Sequence, residues 1–104
     1  MDVILECMTM TSFGGEAKSL AIQAIESARQ GNYEEAEDAL KKADEALGKS
    51  HEAHSNLLNY DAKNGDLQVS IFMVHAADHL NAAEIINVLA REIILLHKEL
   101  KEHV

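Results

Sequence analysis

Two histidines and an aspartate lie within five residues of one another, at His75, Asp78 and His79. Imidazole and carboxylate groups move protons, coordinate metal ions and attack electrophiles, so this cluster is the strongest candidate for chemistry in the chain. The four residues before it, 71–74, are all large and apolar. Ionisable groups buried in such surroundings cost several kcal/mol unless they are paired, hydrogen-bonded or metal-bound. We therefore expect the cluster to have a function that offsets this cost.

In a helix, at about 100° per residue, the three side chains fall on one side. One interpretation is that they are core polar groups satisfied by hydrogen bonds. A second is a metal site, because His-x-x-Asp-His resembles the inverted zincin pattern His-x-x-Glu-His. That pattern needs a third ligand and a glutamate base, and Glu84 points nearly opposite to His75. The third interpretation is a nucleophilic histidine, His75, that carries a phosphoryl group as a phosphoramidate.

The charge distribution around the cluster favours a carrier over a kinase. No Lys or Arg occurs from Asn64 through Ala90, so the surrounding segment offers no cation to a transferring phosphate. A partner would have to bring the missing positive charge. No Gly-x-x-x-x-Gly-Lys loop, which ATP-using enzymes of the P-loop class require, is present.

Length and composition indicate one helical domain that covers residues 1–104. The chain has no Pro, no Trp and only five Gly, and its formal net charge is −9. Such a charge argues against a nucleic-acid partner and suits a basic protein partner. Cys7 is the only cysteine, which fits a reducing cytoplasm. The acidic start of the chain is unlike a signal peptide, and no apolar run reaches membrane-spanning length, so we expect a cytoplasmic protein without direct membrane insertion.

The hydrophobic periodicity predicts three helices, at about 2–30, about 33–61 and about 67–102. The pair Gly14–Gly15 marks a bend or a close backbone approach in a single first helix. Gly31 ends that helix, and Asn32 with Glu35 resembles a capping box for the second. The turn at 63–66 contains Asn-Gly, which also occurs in hairpins, but the helical patterns on both sides favour a connection between helices.

The third predicted helix is apolar on most of its circumference up to Leu96. One antiparallel pair of neighbouring helices cannot cover so wide a surface, and a helix that is hydrophobic nearly all round is buried on all sides. In a protein of three helices, this predicts burial against further copies of the chain.

Several segments resemble those of one protein family. Val74–Leu80 is similar to the Val-His-Ala-Gln-Asp-His-Leu signature of lactose/cellobiose (chitobiose)-type IIA components of the bacterial phosphoenolpyruvate-dependent sugar phosphotransferase system. Gly14–Ser19 resembles the Ala-Gly-Asp-Ala-Arg-Ser segment of that family. Residues 30–33 resemble its Gly-Asp-Phe helix junction, and 52–54 its Glu-Ala-His. The resemblance extends over essentially the whole chain.

The resemblance implies an all-α fold, in which antiparallel three-helix protomers assemble into a homotrimeric nine-helix bundle. It implies phosphotransferase activity, with His75 accepting the phosphoryl group from HPr and passing it to a cysteine of the IIB component. It also implies that Asp78 lies on the trimer axis, where three copies gather around Mg²⁺ or a similar divalent cation. His79 matches the signature too, and we assign it a supporting hydrogen bond. No organic cofactor is implied.

The chain departs from the family pattern beside His75. Ala77 stands where Gln is usual, and Asn81 and Ala82 replace Met-Thr. The loss of these hydrogen-bonding groups leaves an alternative open, a non-catalytic or regulatory helical interaction protein that kept the fold. The sequence does not specify the transported sugar.

Two other helical classes fit less well. Gly31–Ala36 resembles the start of a tetratricopeptide unit, but such arrays need about three repeats with a 34-residue period and position 65 starts no second copy. Histidine phosphotransfer domains of two-component signalling usually carry Lys three residues after the histidine, where this chain has Asp78.

Overall fold

The computed structural model describes residues 1–103, which form three α-helices joined by two short connections. Helix α1 spans Val3–Arg29, α2 spans Tyr33–Asn64 and α3 spans Ile71–Glu102, and no strand occurs in this part of the chain. The helices alternate in direction along a body whose Cα extents are 58 × 19 × 17 Å. The all-α, three-helix prediction is confirmed, whereas the trimeric assembly involves further chains and stays a prediction.

The connection between α1 and α2 is closed by backbone hydrogen bonds. Gly31 adopts a positive φ of 85°, its N–H donates to the carbonyl of Ala28, and the N–H of Asn32 donates to the carbonyl of Ser27. This is the Schellman arrangement, and it confirms Gly31 as the stop of α1. The predicted capping box of Asn32 with Glu35 is wrong, because the Asn32 side chain forms no capping hydrogen bond. Asn32 is nevertheless the N-cap residue of α2, as predicted, because its carbonyl accepts the N–H of Ala36 at 3.0 Å while its own N–H closes α1.

Helix α2 continues to Asn64, three residues beyond its predicted end near residue 61. Gly65, with φ of 66°, ends the helix, and its N–H donates to the carbonyl of Asp61 at 2.8 Å. Only glycine adopts this left-handed backbone without a steric penalty, so the Asn-Gly pair marks the helix end itself.

Helix α3 begins at Ile71, four residues later than the predicted start near 67. Ser70 has an extended backbone, and its side-chain oxygen accepts the N–H of Met73 at 3.2 Å. This cap fixes the start of the helix. The apolar residues Leu67 and Val69 prolong the hydrophobic pattern into the connection, and for that reason periodicity placed the start too early.

Helix α1 passes through Gly14 and Gly15 without interruption. A Cβ atom on Gly14 would lie 3.3 Å from both the carbonyl carbon and the carbonyl oxygen of His79 in α3, whereas one on Gly15 would meet nothing within 4 Å. Gly14 therefore allows a close approach between the backbones of α1 and α3, which is one of the roles predicted for the pair.

The core consists mainly of small side chains, which allow the helices to pack closely. Fully or nearly fully buried alanines recur along all three helices, at Ala17, Ala21, Ala24, Ala28, Ala36, Ala43, Ala76, Ala83 and Ala90. Larger residues such as Met10, Leu40, Leu57, Leu80 and Ile94 fill the space between them. Helix α1 packs against both others, while α2 and α3 contact each other least.

The interface between α2 and α3 is instead crossed by two ion pairs and one histidine–carboxylate pair. Glu37 pairs with Lys98, Asp44 with Arg91, and His51 with Glu84. The members follow one another at seven-residue steps on both helices, so the pairs form one antiparallel row. Their side chains are about half exposed, and pairs with this much solvent access contribute about 0–1 kcal/mol.

A wide apolar face of α3 is left uncovered by the chain's own helices. Large side chains along it are exposed, among them Ile71, Val74, Ile85, Val88, Leu89, Leu95, Leu96 and Leu100. The expectation that one chain cannot cover the helix is confirmed. Its burial against further copies remains a prediction.

Candidate functional site

His75 and His79 contact each other on successive turns of α3. Their Nε2 atoms lie 3.1 Å apart, within hydrogen-bonding distance, and their rings meet edge to face with centroids 4.5 Å apart. His75 is exposed and His79 is half-buried. The expectation that these groups are buried is therefore wrong for the single chain, because apolar neighbours such as Val74 are themselves exposed.

Two features of the fold position the pair. The Ser70 cap starts α3 five residues before His75, so the ring lies on a regular turn of helix. Gly14 of α1 abuts the backbone at His79. Beneath the rings, Ala76 and Leu80 are buried in the bundle core. The pair thus extends from a backbone that is packed on its inner side.

The hydrogen bond between the rings has a chemical consequence. It requires one Nε2 to carry the proton while the other offers its lone pair, so it joins two neutral rings or one neutral and one protonated ring. With the proton on His79, the His75 lone pair is the acceptor. A neutral imidazole in that state is a nucleophile as soon as the contact opens.

Asp78 lies on the same part of α3 but is exposed among apolar residues. Within residues 1–103, no group of three or more His, Cys, Asp or Glu side chains is close enough to hold a metal ion. The third protein ligand that a catalytic zinc site of the zincin type would need is not assembled there. Asp78 offers hard oxygen donors of the kind that Mg²⁺ prefers, so a cation at this position would need carboxylates from further chains.

A cavity on the α2 side of α3 was not predicted from the sequence. It has a volume of about 270 Å³ and is mostly apolar, with Ala77, Met73 and Val74 of α3 in its wall beside Leu58 and His54 of α2. Two connection residues, Leu67 and Val69, also line it. The signal that could have revealed it is the presence of large apolar residues in a segment that starts no helix.

Cys7, the remaining nucleophile type, is a poor candidate. Its side chain is buried, and burial, with a smaller contribution from Glu6, raises the pKa of its thiol. The thiolate is the reactive form, so Cys7 is expected to be inert. The histidine pair is the stronger nucleophilic candidate.

Among residues 1–103, none of the helices combines the length and the apolar composition that crossing a lipid bilayer requires.

Comparison with known proteins relates the chain to a single protein family. Residues 5–98 match the model of a family described as "PTS system, Lactose/Cellobiose specific IIA subunit". The N,N'-diacetylchitobiose-specific EIIA component of Escherichia coli (strain K12) is 37% identical over 87 residues, which cover 84% of this chain and 75% of that protein.

Two solved structures share the fold. The cellobiose-specific enzyme IIA of Bacillus anthracis has a TM-score of 0.93 at 31% identity. The matched region covers 98% of this chain and 94% of the Bacillus anthracis chain. The IIA(Chitobiose) structure in the IIA(Chitobiose)–HPr complex of Escherichia coli has a TM-score of 0.83 at 32% identity. The matched region covers 97% of this chain and 98% of the chain in that structure.

Proposed function

Because the chain belongs to the lactose/cellobiose-specific IIA family of the phosphotransferase system, we propose that it is a phosphoryl carrier whose accepting residue is His75. It would take the group from phospho-HPr and deliver it to the IIB cysteine, for uptake of a sugar of the lactose, cellobiose or chitobiose class. The observation that carries the proposal is the exposed His75 ring, whose Nε2 lies 3.1 Å from that of His79 within the signature segment.

In the accepting step, the lone pair of a neutral His75 nitrogen attacks the phosphorus atom. A new P–N bond forms while the bond to the donor breaks and its electron pair returns to the donor. In the delivering step, the IIB thiolate attacks the same phosphorus and the pair returns to His75. We assign Nε2 as the attacking atom because it faces His79, whose N–H can then donate to a phosphoryl oxygen.

The electrostatics favour a partner that supplies positive charge. The net charge of −9 and the absence of Lys and Arg between Asn64 and Ala90 leave the transferring phosphoryl group unneutralised by the chain's own helix. A donor or acceptor with a basic docking surface would fill this role. The HPr complex formed by the Escherichia coli relative supports HPr as that donor.

We further propose that three chains assemble through α3. Ile71, Asp78 and Ile85 follow at seven-residue steps, as do Ala82, Leu89 and Leu96. The large apolar members of these two series are between 52% and 85% exposed. Such a heptad pattern is typical of a coiled-coil seam, and we call these six residues the α3 seam. Three copies packed along it would form the nine-helix bundle.

Asp78 is the charged member of the α3 seam, so three Asp78 carboxylates would converge in an otherwise apolar interior. Like charges at such proximity repel unless a cation or protons neutralise them. Mg²⁺ or a similar ion would be held by these oxygens and would supply that neutralisation. In this assignment Asp78 acts in assembly and does not take part in phosphoryl transfer.

We place the carrier in the cytoplasm, where the unpaired, buried Cys7 is compatible with reducing conditions.

A second candidate function is a non-catalytic or regulatory interaction protein that kept the fold. The observation in its favour is Ala77, since the family's usual Gln would offer a hydrogen bond where this chain has a methyl group.

A transfer experiment separates the carrier from the interaction protein. The protein is first incubated with phosphoenolpyruvate, enzyme I and HPr, then repurified and mixed with a IIB component. A carrier loses its phosphate to the IIB cysteine, whereas an interaction protein has none to lose.

A further inference from the structure

The two imidazoles of His75 and His79 converge on a point between them. They lie four residues apart on α3, and their Nε2 atoms are 3.1 Å apart while the ring centroids are 4.5 Å apart. The rings therefore approach each other with their nitrogen atoms foremost. When both rings are neutral and their Nδ1 atoms carry the protons, both Nε2 lone pairs are free to bind a single ion.

The separation suits a transition-metal ion. Two Zn–N bonds of about 2.0–2.1 Å that meet at a tetrahedral angle place the nitrogens about 3.3–3.4 Å apart. For a right angle, as in tetragonal Cu²⁺ sites, the same bond length gives about 2.9 Å. The observed 3.1 Å lies between these values. Small ring rotations are enough to admit either ion.

We propose that His75 and His79 form a two-histidine chelate for a first-row transition-metal cation such as Zn²⁺, and that the bound cation prevents His75 from accepting a phosphoryl group. The blocking part rests on the proposed function, because the metal occupies the same Nε2 lone pair that attacks phosphorus. The binding part stands on geometry alone.

In the single chain, the site is largely preformed and open to solvent. His75 is exposed, so an ion can enter without unfolding, and the backbone at His79 packs against Gly14. Both ligands are on one helix, which keeps the loss of conformational freedom on binding small. The negative net charge and the absence of Lys and Arg between Asn64 and Ala90 also favour a cation.

The site differs from the proposed seam site at Asp78 in ligand chemistry. Imidazole nitrogens select transition metals, whereas Mg²⁺ prefers oxygen ligands. Because no third protein ligand is close within residues 1–103, water would complete the coordination. Such a site binds reversibly, as a regulatory ion requires, and more weakly than a four-ligand structural zinc site.

The test is a calorimetric titration of the whole protein with zinc chloride in excess Mg²⁺, above the ordinary imidazole pKa of about 6.5. We expect one Zn²⁺ per chain. His75→Gln and His79→Gln should each weaken binding by about tenfold or more, because each removes half of the chelate. His97→Gln, the same change on the same helix, should have no effect. Equal zinc affinity in the wild-type protein and in His79→Gln would overturn the chelate.

A second measurement separates this proposal from the proposed function. Zinc is added to the wild-type protein before phospho-HPr, and phosphate incorporation is followed against zinc concentration. Loss of incorporation at the concentration that saturates the chelate is expected. A protein that binds zinc through the pair but never gains phosphate would refute the carrier function and leave the chelate standing. Incorporation that persists at saturating zinc would refute the blocking role.

Discussion

The hydrogen bond between His79 and His75 sets the state of the proposed nucleophile. In the tautomer with the proton on His79 Nε2, that proton points at the His75 lone pair before transfer, and after transfer it would donate to a phosphoryl oxygen. We predict that His79→Phe slows phosphoryl acceptance by about tenfold to a hundredfold, because it removes a donor aimed at developing charge. His79→Gln, which keeps an N–H donor, should be slowed less. Equal rates of phosphate incorporation in both variants would contradict this role.

Asn87 is a buried polar residue about two turns of α3 beyond His79. It is 3% exposed, and neither its amide nitrogen nor its amide oxygen has a hydrogen-bond partner within residues 1–103. We predict that Asn87→Ala raises the free energy of unfolding by about 1 kcal/mol, because it removes two unsatisfied groups and improves helix propensity.

The matched control for Asn87 is Ser50→Ala. The Ser50 hydroxyl is also buried but donates to the carbonyl of Met10 at 2.8 Å. Its loss should lower the free energy of unfolding by about 1 kcal/mol. Both values are measured by urea denaturation at one protein concentration. A destabilised Asn87→Ala variant would mean that the Asn87 amide is satisfied after all.

At the scale of the helices, the contact between α1 and α3 depends on Gly14. A methyl group there would come within 3.3 Å of the His79 backbone, which cannot rotate away as a side chain can. The free energy of unfolding should therefore be about 1–3 kcal/mol lower for Gly14→Ala than for the matched variant Gly15→Ala, and the histidine pair should be displaced. Thermal or urea unfolding measures the first effect.

Gly15→Ala provides the control, because a methyl group at Gly15 meets nothing within 4 Å. This variant should be stabilised by up to about 1 kcal/mol through helix propensity alone. If the two variants have the same free energy of unfolding, the close approach at Gly14 is not what positions α3.

The helices themselves follow from local signals that a sequence carries. Gly31 and Gly65 end α1 and α2 because their positive φ values need glycine, and that requirement is visible in sequence. The start of α3 is not visible in the sequence, because Leu67 and Val69 continue the apolar pattern although they line a cavity outside the helix. The predicted capping box at Asn32 does not form, because the N–H of Asn32 is bonded to the carbonyl of Ser27 and so closes α1.

At the scale of the whole molecule, the α3 seam is the exposed apolar surface that the proposed trimer would bury. We predict that Leu89→Asp breaks the trimer into monomers, because three carboxylates would meet along the seam. Leu5→Asp changes a similarly exposed leucine on α1, away from the uncovered face of α3, and should leave the trimer intact. Light scattering at micromolar concentration distinguishes the outcomes. A monomeric wild-type protein would refute the assembly.

Asp78→Leu tests the charge on the proposed axis. Removal of three converging carboxylates should leave a trimer whose thermal stability no longer responds to a chelator, because the cation has lost its ligands. An unchanged chelator response in this variant would remove Asp78 from the metal site.

The site could be located from the sequence, but its exposure could not. Spacing alone brought His75 and His79 to one side of a helix, as their 3.1 Å contact now shows. Whether the pair is buried depends on which faces of α3 the other helices leave open. That is a tertiary property, and it explains why the histidines were wrongly expected inside. The cavity at Ala77 is formed by separate segments that meet only in the folded chain, so the apolar residues Leu67 and Val69 could indicate part of its wall but not the cavity itself.

The most direct test of the central claim is the intact mass of the protein after incubation with phosphoenolpyruvate, enzyme I and HPr. We predict one phosphoryl group per chain, labile in acid and stable in base, in the wild-type protein and in His97→Gln. His75→Gln should gain none. Absence of phosphate on the wild-type protein, or its presence on His75→Gln, would contradict the assignment of His75 as the phosphoryl carrier.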